Sequence, residues 1–355
     1  MSDLEKELAA IRAELDGVDE RLVELINERA ELARRIGQAK ADAGLRVYAP
    51  DRERQVLDRI GELNRGPMPP AALRSVYREL MSASLALERS PRIALLGPAG
   101  SYAHLAGRRR FGASVEFETV ATIAAVFDEV EHGHAEFGLA PVENSIIGGV
   151  GETLDALIDR NVTVCGEVNL AVHHHLLGEG PLASIQRVYS KPEVFAQCQT
   201  WLAETGLIAK TVPTASSSAA AQRAAEEPGA AALASERAAE LFNRGKIAEH
   251  GEDDPGTVTR FLIIGTTMPK PTGRDKTSLV FGVGHESGRL AETLDVFKTA
   301  GLNMTRIESR ADRRRRWAYY FFVDIEGHAE TPDVARALRD AAGRCLFWKV
   351  VGSYS

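Results

Sequence analysis

The first part of the chain carries apolar side chains at alternating spacings of four and three residues. They are Leu4, Leu8, Ile11, Leu15, Val18, Leu22 and Leu25. This spacing aligns them on one face, so we predict one amphipathic helix over residues 3 to 43, about 60 Å long. Such a helix must bury its apolar seam against a partner, most simply a second copy of itself. Two shorter helical patterns follow, over residues 50–64 and 69–88, and Ser90-Pro91 ends this segment.

Beyond residue 91 the periodicity changes. Short strand-like runs alternate with helical patterns, which predicts an α/β domain with mainly parallel sheets. The runs cover residues 92–96, 137–141, 162–164, 187–189 and 260–264. A linker follows at 265–273, where Pro269 and Pro271 interrupt the pattern. The remaining residues are predicted to form strand, helix, strand, strand, helix and strand, the order of a ferredoxin-like module.

Length and composition narrow the class of protein. The 355 residues suggest two or three domains, which we place at residues 1–90, 91–270 and 275–355. No apolar run approaches the roughly 18–20 residues of a membrane span, and the start lacks a signal-peptide core, so we expect a cytoplasmic protein. The 3 cysteines form neither a metal-binding spacing nor a disulfide framework. A net charge of −7 argues against nucleic acid as the main partner.

Cations interrupt the apolar seam of the first helix. Continuing the spacing past Leu25 reaches Arg29, and Lys40 returns to nearly the same face. Because a buried cation needs a partner, this pattern indicates either a structural ion pair, with Lys40 extending along the helix end, or a cationic pocket for a small dianion. Arg12 lies beside the seam about 25 Å from Arg29, so only an antiparallel partner chain would bring the two together. The pattern hints at an intertwined dimer with shared sites.

These positions match a known family in order and spacing. Arg12, Arg29, Lys40, Tyr48-Ala-Pro-Asp-Arg-Glu53 and Ser84-Leu-Ala-Leu-Glu88 resemble the all-helical chorismate mutases over the first 90 residues. The resemblance implies that the two arginines bind substrate carboxylates and that Lys40 donates to the ether oxygen of the breaking bond. It also places Arg52, Glu53, Ser84 and Glu88 around the substrate. A carboxyl at position 88 donates only when protonated, so we expect mutase activity to fall as pH rises and Glu88→Gln to flatten that dependence.

Three motifs mark the middle domain. Gly97-Pro-Ala-Gly100-Ser is neither a phosphate-binding loop nor a dinucleotide fingerprint. Pro141-Val-Glu-Asn-Ser145 ends a predicted strand, where ligand sites of α/β sheets are found, although a turn with a helix cap would look similar. In Thr257-Val-Thr-Arg-Phe261, a hydroxyl and a guanidinium are adjacent, and both reach one ligand only near a bend or a strand end.

Together with Ser190-Lys-Pro-Glu and Gln197-Cys198, these motifs resemble the prephenate dehydratases from residue 92 to about 264. The resemblance implies two α/β lobes with a cleft between them, like a periplasmic binding protein. It places Asn144, Ser190, Gln197 and Thr259 in the site, with Thr259 as the candidate acid, and it implies that Arg260 anchors a carboxylate. The chain departs from the family pattern at Ala103, Lys191, Glu193 and Thr257, which leaves open a preference for arogenate.

The last domain resembles the ACT modules attached to these dehydratases. The resemblance rests on Glu308-Ser-Arg310, on the run from Trp317 to Gly327 and on Gly352-Ser-Tyr354. It implies a phenylalanine site across a dimer interface that gives feedback inhibition. The implied effector residues are Gly288, Leu290, Glu308, Ser309 and Arg310. Ala311 stands where the family usually has proline, and the glycine loop is Ser287-Gly-Arg-Leu290.

Two remaining clusters have simpler interpretations. Residues of a strand alternate faces, so at most two imidazoles of His173-His-His175 converge, and no cysteine or acidic residue has a suitable spacing. We therefore expect packing residues and no metal. Arg313–Arg316 lies between two predicted strands and is typical of a solvated hairpin tip rather than of a nucleic-acid surface.

The chain as a whole is predicted to be a bifunctional chorismate mutase–prephenate dehydratase that uses no cofactor. Chorismate would become prephenate and then phenylpyruvate, with phenylalanine as effector. The expected assembly is a homodimer or a higher even oligomer without membrane or nucleic-acid partners. The alternatives are an arogenate-preferring dehydratase fused to a mutase, and a non-catalytic amino-acid sensor. Retention of Asn144, Ser190, Gln197 and Thr259 argues against the sensor.

Overall fold

The computed structural model describes residues 2–43, 50–89, 91–312 and 318–355, including their side chains except at positions 41, 50, 51, 88 and 89. The chain divides into two compact units. One contains Met1–Pro91 with Phe111–Glu116, and the other contains Arg92–Arg110 with Phe117–Ser355. None of the described helices is long and apolar enough to cross a membrane.

The first unit is helical, as predicted from its periodicity. Its helices are α1 (Asp3–Asp42), α2 (Pro50–Leu63) and α3 (Pro70–Arg89). The second half of α1 packs on α3, where Ser82 and Ser84 are buried. The apolar seam in the first half of α1 remains largely exposed, with Ile11 at 54% and Leu15 at 56%. The described part of one chain therefore leaves uncovered the face that the pattern predicted to be buried.

The second unit begins with a lobe built on a mixed sheet of order β2-β1-β3-β11-β5, with β4 paired to β3. Its helices lie between these strands along the chain. The elements are β1 (Arg92–Leu96), α4 (Tyr102–Phe111), β2 (Glu116–Val120), α5 (Ile123–Glu131), β3 (Phe137–Asn144), β4 (Gly148–Gly149), α6 (Gly151–Asp159), β5 (Thr163–Ala171) and β11 (Val258–Gly265). Thr122 caps α5 by accepting from the Ala125 amide.

A second lobe, with sheet order β10-β6-β9-β7-β8, is inserted between β5 and β11. It also contains single 3₁₀ turns at Leu182–Ser184 and Ile208–Lys210. Its regular elements are β6 (His175–Gly178), β7 (Arg187–Ser190), α7 (Pro192–Gln197), α8 (Gln199–Glu204), β8 (Thr211–Pro213), α9 (Ser217–Glu226), β9 (Ala230–Ala234), α10 (Glu236–Leu241) and β10 (Gly245–Ala248).

Two crossovers join the lobes, one from β5 to β6 and one from β10 to β11. The expectation of mainly parallel sheets is wrong, because the strands that follow these two crossovers run antiparallel to their neighbours. The returning strand β11 enters the first sheet antiparallel to both β3 and β5, and β6 runs antiparallel to β9 and β10. Parallel pairs are β1 with β3, and β7 with β8 and β9. The predicted two-lobed architecture is confirmed.

The C-terminal module has the predicted strand and helix order and an antiparallel sheet of order β13-β14-β12-β15. Helices α11 and α12 pack on one face of this sheet. The other face shares a core with the first lobe through Val280, Phe322 and Val351. A Cβ at Gly352 would lie 2.2 Å from the Val164 carbonyl oxygen, so only glycine permits this approach. The elements are β12 (Lys276–Gly282), α11 (Arg289–Thr299), β13 (Met304–Ala311), β14 (Tyr319–Glu326), α12 (Pro332–Ala342) and β15 (Phe347–Tyr354).

Candidate active sites

The helical unit contains a cavity of about 450 Å³. Residues from all three helices line it, and five of the residues predicted from the sequence are among them. These are Arg29, Lys40, Arg52, Glu53 and Ser84. Five cations, the three predicted ones with Arg59 and Arg78, outnumber the one carboxylate and give the wall a positive balance. Leu32, Ile36 and Ile60 supply an apolar surface. The cavity thus suits a small dianion with an apolar ring.

A hydrogen bond fixes one of these cations. Arg29 Nη1 donates to Ser84 Oγ over 2.8 Å, and Ser84 Oγ donates to the Leu80 carbonyl oxygen over 2.7 Å. Ser84 is 8% exposed. Because the serine proton is committed to Leu80, its lone pair is oriented toward the guanidinium. The remaining donors of Arg29 then keep a defined direction at the cavity wall.

Two predicted residues are not placed in this cavity. Arg12 is exposed on the first half of α1 and is not among the lining residues. Glu88 lies in the last turn of α3, and its side chain is outside the part that the structure describes, as are Tyr48 and Ala49. That an antiparallel second chain brings Arg12 to a cavity stays a prediction from the spacing along the helix.

In the two-lobed domain, the structure brings Asn144 and Thr259 together. They are paired residues on β3 and β11, and Asn144 Nδ2 donates to Thr259 Oγ1 over 2.9 Å. The amides of Ile146 and Ile147 donate to Asn144 Oδ1, at 3.0 and 3.1 Å. Because the amide oxygen is held by these two donors, the amide nitrogen must face Thr259. Thr259 Oγ1 accepts there, so its own proton can be directed to another group.

The other two dehydratase positions lie in the second lobe. Ser190, at the end of β7, is fully buried and donates to the Leu233 carbonyl oxygen over 2.6 Å. Gln197 Oε1 lies 2.7 Å from His174 Nε2, and His174 Nδ1 lies 2.6 Å from the Tyr102 hydroxyl. Burial lowers the pKa of His174 and raises that of Tyr102. A chain of polar groups thus connects Gln197 to the first lobe.

Sequence reasoning missed Glu252, which anchors this chain. Its side chain is 1% exposed, and Oε2 accepts from the His174 amide over 2.8 Å. Although burial opposes ionisation, hydrogen bonds from His173, the His174 amide and His250 hold the pKa of Glu252 at about 2. The two segments are far apart in the sequence, and no spacing rule connects them. The His173–His175 triplet was the available signal, but its acidic partner was not recognised.

Arg260 is placed differently from the sequence-based expectation. Its guanidinium donates to Glu167, Asp324 and Tyr354 at 2.8, 2.7 and 2.9 Å. Although burial alone would lower the pKa of Arg260, Tyr354, Asp324 and Glu167 raise it. The side chain is 13% exposed, and a substrate carboxylate would have to displace three internal partners. These contacts indicate that Arg260 connects β11 to the C-terminal module.

The predicted effector residues divide between two surfaces of the C-terminal module. Gly288 precedes α11 with a left-handed φ of +88°, and Leu290 packs on the core of the module. Ser309 is exposed, whereas Glu308 and Arg310 face the first lobe. Arg310 forms an ion pair with Asp155 of α6, and Glu308 lies against Gly149 while pairing with Arg306. Two of the five residues therefore also belong to a contact between domains.

Arg306 extends this contact between domains to the Pro141-Val-Glu-Asn-Ser145 motif. Its Nε lies 3.0 Å from the carboxylate of Glu143, the residue before Asn144. Among the described residues, Cys165, Cys198 and Cys345 form no disulfide bond.

Family models match the chain in three successive segments. Chorismate mutase type II matches residues 11–89, prephenate dehydratase matches residues 93–269, and the ACT domain matches residues 277–343. A bifunctional chorismate mutase/prephenate dehydratase of Aquifex aeolicus (strain VF5) is 40% identical over 354 residues, covering 98% of each chain.

Two solved structures each align with 74% of the chain, and each alignment has a TM-score of 0.68. One is a prephenate dehydratase from Arthrobacter aurescens in complex with L-Phe, 30% identical and covered over 89% of its length. The other, GqqA, is described as a novel type of quorum quenching acylase, 32% identical and covered over 97% of its length.

Proposed function

Because the chain belongs to the bifunctional chorismate mutase/prephenate dehydratase family, we propose that its two candidate sites catalyse consecutive reactions. The helical cavity converts chorismate to prephenate by a Claisen rearrangement. The cleft of the two-lobed domain converts prephenate to phenylpyruvate with loss of water and carbon dioxide. The observation that carries this assignment is the grouping of Arg29, Lys40, Arg52, Glu53 and Ser84 around one cavity in the segment that matches the mutases.

The rearrangement needs neither a nucleophile nor a proton transfer. One carbon–oxygen bond breaks while one carbon–carbon bond forms, and negative charge grows on the ether oxygen. A fixed donor at that oxygen stabilises the transition state more than the substrate. We assign this role to Lys40 and, from the resemblance, to Glu88. Arg29, held by Ser84, binds a carboxylate, and Arg52 and Glu53 contact the rest of the substrate.

The mutase site is completed by a second chain in this proposal. Arg12 is exposed on the same helix as Arg29 but about 25 Å away along its axis. An antiparallel partner helix brings Arg12 of one protomer to the cavity of the other. The exposed seam of Leu8, Ile11, Leu15 and Val18 supplies the apolar surface for that contact. We therefore propose a homodimer in which each mutase site contains residues of both chains.

The dehydration breaks two bonds of prephenate, the bond to the departing carboxylate and the bond to the ring hydroxyl. The electron pair of the carboxylate-bearing carbon–carbon bond moves into the ring as carbon dioxide leaves, and the ring hydroxyl departs as water after gaining a proton. The Thr259 hydroxyl is oriented for donation because Asn144 already occupies its acceptor side. We assign Thr259 as the donor and Asn144 as the group that orients it. From the resemblance we assign Gln197 to substrate binding from the second lobe. We assign Ser190, whose buried hydroxyl donates to the Leu233 carbonyl oxygen, to the same part of the site.

Phenylalanine control follows from the C-terminal module. The prephenate dehydratase of Arthrobacter aurescens was solved with L-Phe, and the ACT domain model matches residues 277–343 of this chain. We assign Gly288, Leu290, Glu308, Ser309 and Arg310 to the effector site. Arg306 then couples it to catalysis because it contacts Glu143, next to Asn144. A cytoplasmic location agrees with three cysteines that form no disulfide bond, two of them buried.

A coupled assay tests the proposed function. Purified full-length protein is given chorismate, prephenate and phenylpyruvate are followed, and phenylalanine is then added. The expected result is transient prephenate, then phenylpyruvate, with the second step slowed by phenylalanine. Prephenate that accumulates without phenylpyruvate would remove the dehydratase assignment. Arogenate supplied in place of prephenate shows which of the two the cleft prefers.

A further inference from the structure

The two crossovers between the lobes meet in a cluster of two imidazoles and one carboxylate. His173 Nδ1 lies 2.7 Å from Glu252 Oε1 and 3.1 Å from His250 Nδ1, and His250 Nδ1 lies 3.2 Å from the same carboxylate oxygen. His173 belongs to the connection from β5 to β6. His250 and Glu252 belong to the connection from β10 to β11. None of the three has a part in the reactions assigned above.

Protons can account for only two of the three contacts in this cluster. Each Nδ1 carries at most one proton, so at most two of the three contacts are hydrogen bonds. If both nitrogens donate to Glu252, two N–H groups stand 3.1 Å apart. If one is deprotonated, its lone pair faces either the carboxylate oxygen or the other ring. A cation between the three atoms accepts all three lone pairs, and the triangle leaves room for ligand distances of about 2.0–2.1 Å.

The groups around the cluster would orient its ligands and admit a metal ion. Glu252 Oε2 accepts from the His174 amide over 2.8 Å, which orients the carboxylate as supporting hydrogen bonds orient metal ligands. A third imidazole, His175, is 4% exposed, and its ring centre lies 5.4 Å from that of His250. Among the described residues, its Nδ1 has no hydrogen-bond partner. His250 is 54% exposed and provides access from solvent.

We propose that His173 Nδ1, His250 Nδ1 and Glu252 Oε1 bind a divalent transition metal of the Zn²⁺ type, with water in the remaining position. Two imidazoles and one carboxylate suit zinc and its neighbours rather than Mg²⁺ or Ca²⁺, which prefer oxygen ligands. The bound ion ties the two crossovers together and thereby restrains the movement of one lobe against the other. This site is independent of the chemistry in the helical cavity and at Thr259.

Metal content tests the proposal directly. Untagged full-length protein is equilibrated with Zn²⁺, dialysed against metal-free buffer and analysed by mass spectrometry for bound zinc. In parallel, Co²⁺ is titrated and its visible absorption recorded. The variant is His250→Asn, because His250 is exposed and has a left-handed φ of +55°, which asparagine tolerates. The matched control is His134→Asn, an exposed histidine beside the Glu129 carboxylate whose ring stacks on that of His132.

Wild type and His134→Asn should retain one zinc ion per chain and show a saturable Co²⁺ spectrum. His250→Asn should bind at least about tenfold more weakly, the scale seen even for outer-shell changes. Zn²⁺ should raise the thermal midpoint of the wild type but not of His250→Asn, while the two have similar midpoints without metal. Wild type that retains no zinc, or His250→Asn that binds as tightly as wild type, overturns the proposal.

Discussion

The two candidate catalytic regions of the chain differ in the charge of their side chains. Arg29, Lys40 and Arg52 line the helical cavity, whereas the candidate site of the two-lobed domain pairs the neutral amide of Asn144 with the neutral hydroxyl of Thr259. The difference follows from the chemistry. A rearrangement only redistributes charge, so fixed cations suffice. A dehydration moves a proton, so an oriented hydroxyl is needed.

The regions also differ in how they are built. The cavity takes its residues from helices of one short segment and is completed by a second copy in our proposal. The cleft takes its residues from strands 115 positions apart in the sequence, joined by a hydrogen bond between Asn144 and Thr259. Changes in one region should therefore leave the other active, and the following variants test this separation.

The largest effect is expected from removing the hydroxyl of Thr259. Thr259→Val should lower the dehydratase kcat by roughly 10²–10³-fold, the scale found when one preorganised donor is lost. Thr259→Ser, which keeps the hydroxyl, should retain most of the activity, and Thr200→Val controls for a surface threonine of the same domain. Initial rates with prephenate measure this effect. Equal loss of mutase activity would show that the variant is misfolded or that the two sites are not separate.

The matching change in the helical cavity is Lys40→Ala. We expect the mutase kcat to fall about 100-fold or more because the developing charge on the ether oxygen loses its donor. Rates with prephenate should stay unchanged. Lys6→Ala, on the same helix with a side chain 64% exposed, is the control. A Lys40→Ala mutase rate within about threefold of wild type would remove Lys40 from the catalytic assignment.

The shared mutase site predicts that two inactive variants complement each other. In a mixed dimer of Arg12→Ala and Lys40→Ala chains, one site contains both intact residues. Co-refolded or co-expressed chains should recover about a quarter of the wild-type mutase rate, because half of the dimers are mixed and each has one intact site. Mixtures that stay as inactive as the separate variants would contradict the shared site.

The smallest effect is expected at the contact between the C-terminal module and the cleft. Arg306→Gln removes the cation beside Glu143, so phenylalanine inhibition should weaken by about 2- to 30-fold, the range of such coupling energies. Dehydratase activity without phenylalanine should change little. Arg336→Gln is the control, since Arg336 pairs only with Asp333 on its own helix among the contacts described. An unchanged inhibition curve would exclude this route of coupling.

Much of the fold was predictable because its elements are locally encoded. Apolar periodicity predicted α1 within one residue of its end, and α3 within one residue at each end. Arg29 and Lys40 could be recognised because cations in an apolar seam break a local rule. The mixed sheets could not be predicted, since the direction of β11 depends on the insertion of a whole lobe.

The unpredicted parts of the sites depend on contacts distant in the sequence. Arg260 was expected to hold a substrate carboxylate, but Asp324 and Tyr354 come from the C-terminal module. The His173 triplet lacked an acidic neighbour until the fold brought Glu252 to it. Neither partner lies at a spacing that a helix or strand would align. Such groups are recognised only after the chain has folded.

The central claim is that one chain carries two separate active sites for consecutive reactions. It is tested most directly by giving chorismate to Thr259→Val, to Lys40→Ala and to their mixture, and measuring phenylpyruvate. We predict that Thr259→Val accumulates prephenate, that Lys40→Ala produces little of either product, and that the mixture forms phenylpyruvate readily. A mixture that forms no more phenylpyruvate than the separate variants would contradict the account.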